Sequence, residues 1–334
     1  PTPTPTPSPG PRLLFAAGAD AGGGPVVRVN FTDGSAYSFF AYSVDFTGGV
    51  RVTMGDLNGD GINEVITGPG AGGGPNIRVF AVTTSGASMV ASFFAFEPVF
   101  TGGVYVAAGN LNGDVSTSGN GIADVIVSAG PGGGPRVISY AGSQSGYVNL
   151  NNQLCDYFVY SPYFTGGVSV AAGNVVGAAN SSDELITGAG PGGGPHVRVF
   201  QLSNTNTPTA LYEYMAFDPS IRSGIYVASG DLNSDGLDEI FTGTAGAPQL
   251  PSTVNVRYPN TGASTNLLPF GAFTGGARVG IGRDVNNNPY MLVGAGPGGG
   301  PQVNVYNSSL NAVDALFVFG LNFTGGVFVN TSLS

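Results

Sequence analysis

The sequence predicts an all-β protein: a six-bladed β-propeller of four-stranded antiparallel blades, closed by the C-terminal strand joining the N-terminal blade. Three observations carry this. Two interleaved phrases each recur six times, the segments between them alternate like strands with no sustained helical period, and the two chain ends are complementary parts of one repeat. The phrase GGGP ends at Pro25, Pro75, Pro135, Pro195 and Pro301, with a worn copy, GAPQLP, ending at Pro251. FTGGV starts at Phe46, Phe100, Phe164 and Phe323, with FTGGA at Phe273 and the degraded IRSGI at Ile221. The unit is about fifty to sixty residues, the size of a four-stranded blade and too long for a leucine-rich or ankyrin repeat.

Within the second blade, turn signals and alternation place strands at residues 49–55 (GVRVTMG), 63–68 (NEVITG), 76–82 (NIRVFAV) and 88–96 (SMVASFFAF). The chain opens on a second strand, residues 12–18, and ends with a lone first strand, residues 326–330. Joining them in one blade removes the open edges that a linear array would leave. Tyr42, Phe96, Tyr160, Phe217, Phe270 and Phe319 recur just before each FTGG-type phrase, where they are expected to fill the gaps between blades. Residues 1–11, proline alternating with threonine, read as an extended spacer, and residues 12–334 as the propeller.

Composition narrows function. Charged residues are 9% of the chain, Gly numbers 57, all ten basic residues are Arg, and the net charge is −10. Such a surface repels phosphate backbones and anionic membranes, so neither nucleic-acid binding nor membrane insertion is expected. The acidity is mostly Asp, which suits turns and cation-binding loops. Cys155 is the single cysteine, so no internal disulfide forms, although a thiol on a secreted chain could pair between subunits.

The chemistry concentrates between the first and second strands. The second blade reads Asp56, Asn58, Asp60, Gly61, Ile62 and Glu64, and the fifth repeats it as Asp231, Asn233, Asp235, Gly236, Leu237 and Glu239. Side-chain oxygens at positions 1, 3 and 5, glycine at 6, a carbonyl at 7 and a carboxylate at 9 match the start of a calcium loop, and hard oxygen donors favour Ca²⁺ over zinc or copper. The alternative is a polar hairpin, since Asp, Asn and Gly favour turns in any case. Three carboxylates in nine residues would then repel one another. The third blade offers a weaker set, Asn110, Asn112, Asp114 and Asp124, interrupted by VSTSGNG. Residues 174–184 and 283–289, at the same place in the fourth and sixth blades, have lost the pattern and are expected to hold no metal.

On these loops and turns the chain resembles the FG-GAP/VCBS repeat family, the integrin-α-like propellers. Their blades pair a loop D-x-[DN]-x-D-G-x-x-[DE] with a Gly-Ala-Pro-like turn, here residues 68–75 (GPGAGGGP) and their copies. The resemblance spans nearly all of the chain after the spacer. It implies a structural calcium in each of two loops, a third in the Asp124 loop being open, with ligands Asp56, Asn58, Asp60, the Ile62 carbonyl and Glu64, and likewise Asp231, Asn233, Asp235, the Leu237 carbonyl and Glu239. It also implies recognition or adhesion as the role. Many members have seven blades, whereas this sequence tiles into six.

The expected function is therefore an extracellular, calcium-stabilised module for adhesion, ligand binding or surface assembly, with a protein or glycan at the cell surface, or further copies of the chain, as partner. The alternative is a glycan-binding or glycan-cleaving propeller, which would show two unpaired carboxylates some 5–9 Å apart in a pocket. No enzyme is expected. His196 is the sole histidine and reads as a strand residue, and the glycine-rich turns lack the Lys and helix of a phosphate-binding loop. Arg28, Arg78 and Arg198 follow GGGP prolines and read as solvated strand positions, the alternative being a positive line on one face. Sequons at Asn30, Asn180, Asn307, Asn322 and Asn330 offer glycosylation sites.

Overall fold

The computed structural model describes residues 14–177, 182–202 and 207–330. The proposed spacer, residues 1–11, lies outside them. Twenty-four strands form six four-stranded antiparallel sheets, and no helix occurs among the described residues, hence none long and apolar enough to cross a membrane. The predicted six-bladed propeller is the fold observed.

In the second blade the strands are Val50–Gly55, Glu64–Pro69, Asn76–Thr83 and Gly86–Phe94. The last begins and ends two residues earlier than the alternation suggests, because the hairpin before it is tight. The two inner strands are buried along their whole length, while the third alternates and the fourth is largely exposed. Inner strands are packed on both faces by the neighbouring blades, so the half-buried period survives only further out. Six apolar clusters follow from this, one at each blade interface, and Phe15, Phe200 and Phe241 are among their fully buried members. Burying one such ring contributes roughly 1.5–3 kcal/mol.

The ring closes as expected. Val327–Asn330 is the innermost strand of the first blade and pairs antiparallel with Phe15–Ala19, from Ala16↔Asn330 to Ala19↔Val327. The second glycine of each FTGG-type phrase has positive φ in all six copies, between 74° at Gly103 and 98° at Gly326. The degraded copy keeps it as Gly224 (φ 88°). A Cβ on Gly49 would stand 2.6 Å from the backbone of Asp20 in the preceding blade, so the position combines a left-handed backbone with a close approach. That is why it survives when the surrounding phrase has decayed.

The aromatic residues before these phrases do fill the gaps between blades. Tyr42 donates from its hydroxyl to the carbonyls of Thr67 (3.0 Å) and Asn76 (2.8 Å) in the next blade, and Tyr160 does the same to Thr187 (3.1 Å) and His196 (2.8 Å). The phenylalanines at the other four positions pack into the interface clusters. Cys155 is fully buried, with its thiol pushed up to about 12 by burial and by Asp156, so pairing between subunits is not available to it.

Candidate functional site

In the second to sixth blades the innermost strand runs from the face carrying the FTGG and GGGP turns to the opposite face, where it enters the loop to the second strand. All the loops therefore lie on one face. In the second blade, Asp56 Oδ1 accepts from the N–H groups of Gly59 (2.7 Å) and Asp60 (3.1 Å), and Oδ2 from that of Gly61 (2.7 Å). Asn58 Oδ1 accepts from Asp60 N (2.9 Å), and Asp60 Oδ1 from Ile62 N (2.8 Å). Glu64, 3% exposed, accepts from Leu57 N (3.0 Å). Consecutive Asx turns thus hold the side-chain oxygens of positions 1, 3 and 5 in a tight coil with the position 9 carboxylate at its base.

The fifth blade repeats this network. Asp231 accepts from Asp235 N (3.1 Å) and Gly236 N (3.0 Å), Asn233 Oδ1 from Asp235 N (2.8 Å), Asp235 Oδ1 from Leu237 N (3.0 Å), and Glu239 from Leu232 N (2.8 Å). Both loops show the same electrostatic problem. Burial pushes Glu64 up to about 7 against the lowering effect of the Leu57 N–H, and Asp60 and Asp56 add to the rise. Glu239 is likewise pushed to about 7 by burial, with Asp235 and Asp231 adding to it. The leading causes acting on both carboxylates are burial and neighbouring acids, while in the fifth blade Arg283 acts on Asp231 and Asp238.

Among the described residues, no three His, Cys, Asp or Glu side chains stand close enough to share one metal ion. The position 3 asparagine explains the spacing. Asn233 Nδ2 donates to both Glu239 Oε1 (2.6 Å) and Asp235 Oδ2 (3.2 Å), and Asn58 Nδ2 to Asp60 Oδ2 (3.0 Å). The amide hydrogens meet the carboxylates where a cation would. The residues fit a hard divalent ion in their chemistry: oxygen donors only, held by backbone N–H groups, around a buried acid that neighbouring carboxylates make harder to ionise.

The third loop is closed differently. Asn110 stands where Asp56 does, its Oδ1 accepting from Gly113 N (2.8 Å) and its Nδ2 donating to the Asp114 carbonyl (2.8 Å). Asn112 Nδ2 donates to Asp114 (3.2 Å) and Asp124 (3.4 Å). Asp124, fully buried and pushed up to about 7 by burial, also accepts from Leu111 N (2.8 Å) and Gly142 N (3.0 Å). In the fourth blade Glu184 accepts from Val175 N (2.9 Å) and Val176 N (3.2 Å), and in the sixth Asp284 accepts from Asn286 N (2.8 Å) and Asn288 N (2.9 Å).

Two acids on this face escape the sequence reading. Asp183 and Asp238 directly precede the closing glutamates and reach into the preceding blade, where Asp183 Oδ2 accepts from Asn110 N (2.8 Å). Burial pushes Asp183 to about 6, and burial with Asp183 and Asp231 nearby pushes Asp238 to about 8. The Asp-Glu doublets, at 183–184 and 238–239, were the available signal.

On the opposite face the arginines depart from expectation. Arg28, Arg78 and Arg198 are half-buried rather than solvated. Arg78 lies 4.9 Å over the Tyr42 ring and donates to the Ala41 carbonyl (2.9 Å), and Arg198 lies over Tyr160 and donates to the Val159 carbonyl. A planar guanidinium stacks on a ring and reaches a carbonyl of the neighbouring blade together, so Arg78 and Arg198 stitch blades, whereas Arg28 donates to Asn30 in its own strand. His196 is a strand residue, as expected, edge-on to Tyr160 and 3.3 Å from Glu213.

The sequons differ in availability. Asn322 is exposed, and Asn307 caps a turn by accepting from Ser309 N (3.1 Å) and Asn311 N (3.0 Å). Asn30 accepts from Arg28 (3.2 Å), Asn330 is held between Thr53 (3.3 Å) and Ile281 (3.4 Å), and Asn180 lies outside the described residues.

No family model and no curated protein matches this sequence. Solved structures do. A protein of unknown function from Bacteroides caccae is 9% identical over 95% of this chain and 98% of its own, with a TM-score of 0.54. A protein provisionally described as a 6-phosphogluconolactonase, from Bacteroides fragilis, is 9% identical over 98% of this chain and 99% of its own, with a TM-score of 0.51. A rhamnogalacturonan lyase from Bacillus licheniformis is 12% identical over 91% and 75%, with a TM-score of 0.42. At such identities the likeness is one of fold alone.

Proposed function

We propose that this protein is an extracellular propeller of the FG-GAP/VCBS kind, stabilised by calcium in the loops of the second and fifth blades, and that it works as a binding or assembly module rather than an enzyme. The cation would be held by Asp56, Asn58, Asp60, the Ile62 carbonyl and Glu64, and by Asp231, Asn233, Asp235, the Leu237 carbonyl and Glu239, and would supply counter-charge to the buried glutamates. The loops support an extracellular placement, because weak sites of this kind would fill at the calcium concentration outside cells.

The observation that carries the binding role is a rim of apolar side chains on the face opposite the loops. The outermost strands of five blades end on Phe40, Phe94, Phe158, Met215 and Phe317, exposed by 54%, 54%, 45%, 48% and 56%. Beside Phe94 a cleft of about 580 Å³ runs between the first two blades, lined by Tyr42, Phe46, Pro69 and Arg78. Phe40, Phe94, Phe158 and Met215 each lie beside the last glycine of their blade's GGGP turn, yet about half of each side chain stays exposed, which supports a contact surface. Neither this cleft nor the axial cavity is lined by a carboxylate, which weighs against glycan cleavage.

A second copy of the chain is the partner that this reading favours. The triple variant Phe40→Ser, Phe94→Ser, Phe317→Ser, measured at a temperature where circular dichroism shows it folded, should lose concentration-dependent self-association in sedimentation velocity. A wild-type protein that stays monomeric at high concentration in millimolar calcium would remove self-assembly and leave the rim to a different ligand.

A further inference from the structure

The second residue of each innermost strand points into the ring's axis: Arg51, Tyr105, Ser169, Tyr226, Arg278 and Phe328. The three aromatic rings come from alternate blades and meet edge to face, with centroids 5.7–6.4 Å apart. Both guanidiniums lie on them. Arg51 is 5.0 Å from the centre of Tyr105 and 5.4 Å from that of Phe328, and Arg278 is 4.5 Å from Tyr226 and 5.1 Å from Phe328.

The two arginines differ in one respect. Arg278, 4% exposed, donates from Nη2 to Asp20 Oδ2 at 2.7 Å. Asp20 is the residue directly after the second strand of the following blade, Phe15–Ala19. Arg51, 9% exposed, occupies the same place in its own blade, but the residue directly after the second strand of the following blade, Asp124–Ala129, is Gly130. Among the described residues Arg51 therefore pairs with no carboxylate, and its Nε and Nη1, like those of Arg278, are buried without a hydrogen-bond partner, so that the pairing of Nη2 with Asp20 is what separates the two. A guanidinium cannot shed its proton to escape this. Beside both arginines the axis holds a cavity of about 40 Å³. At roughly 10–15 Å³ for each water-sized group, about three such groups fit, the size of one carboxylate.

We propose that this end of the axial channel binds a small carboxylate in the cavity, which pairs with Arg51 as Asp20 pairs with Arg278 from the neighbouring blade. Asp20 is the precedent for the chemistry, since a carboxylate already engages Nη2 of the equivalent arginine within the same ring. The guanidiniums lie against Gly70 and Gly296 in the GGGP-type turns, so the site opens on the face opposite the aspartate loops and does not depend on metal there.

Acetate titrated at constant ionic strength, with chloride and phosphate as parallel arms, tests this by calorimetry and by thermal unfolding. Acetate should bind saturably and raise Tm. Arg51→Met should weaken that binding roughly tenfold or more, and in acetate-free buffer should unfold at a higher temperature than wild type, because it no longer buries an unpaired charge. Arg51→Gln, which keeps a polar head, should lose binding equally. A response to chloride or phosphate as large as that to acetate overturns the carboxylate assignment. An acetate response that survives both substitutions, or none in the wild type, overturns the site. A chelator should leave the acetate response unchanged, so failure here and failure of the calcium reading are separable.

Discussion

The loops of the second and third blades begin alike and then part, the third carrying Asn110 where the second has Asp56 and inserting residues 115–121 before its closing acid. In both, the position 3 asparagine donates its amide to the position 5 aspartate, and the leucine after position 1 donates its N–H to the closing acid. The second loop places three carboxylates there, Asp56, Asp60 and Glu64, whereas the third replaces the first of them with Asn110 and gives Asp124 a further donor from Gly142. The coil of Asx turns therefore forms from Asp or Asn alike. What the extra carboxylate adds is a demand for positive charge, which N–H groups meet in the third loop and a cation is proposed to meet in the second and fifth.

The largest expected effect is the removal of that cation. For a site with Kd near 10 µM, millimolar calcium adds roughly 2.7 kcal/mol, and two loops add about twice that. A melt with and without chelator should show a large loss of Tm, and indifference to chelator would end the calcium reading. Next in size, Asp56→Asn makes the second loop resemble the third. It should abolish about half of the calcium-dependent gain, while in the chelated protein the lost hydrogen bond from Gly61 N is offset in part by relief of the repulsion on Glu64. The same result is expected from Asp231→Asn in the fifth blade.

A smaller effect separates the loops by pH. Glu64 and Glu239 are raised to about 7 and Asp238 to about 8 in the folded chain, above the usual carboxylate range of an unfolded one. Between about pH 4 and 8 the folded state thus holds more protons than the unfolded state, so the stability present at low pH is lost as pH rises through the folded values. In chelator, Tm should fall by a few degrees from pH 5 to 8, and saturating calcium should flatten that slope. The smallest effect is expected from the reverse substitution, Asn110→Asp, which should give the third loop a weak calcium response detectable by calorimetry in an Asp56→Asn, Asp231→Asn background.

Much of this was legible before any coordinates. Gly49 and its five counterparts recur because backbone geometry admits no other residue there, so counting them counts blades. The Asp56 and Asp231 loops were legible for a similar reason, since Asx turns form among neighbours in sequence. Asp183 and Asp238 were not, because each acts on the blade before its own. The stacking of Arg78 on Tyr42 was missed as well, since alternation along a strand says which side a residue takes but not that another blade covers it.

The amino-acid sequence by itself determined the number of blades, the strand order, the sealing of the ring by its own ends and the positions of the acidic loops, all of which follow from local turn chemistry repeated at a regular interval. Only the tertiary structure decided which side chains meet along the axis. Arg278 and Asp20 lie 258 positions apart in the chain and touch because the circle closes, while Arg51 is left facing Gly130. A charge finds or lacks its partner through the geometry of the closed ring, and no spacing along the polypeptide encodes that.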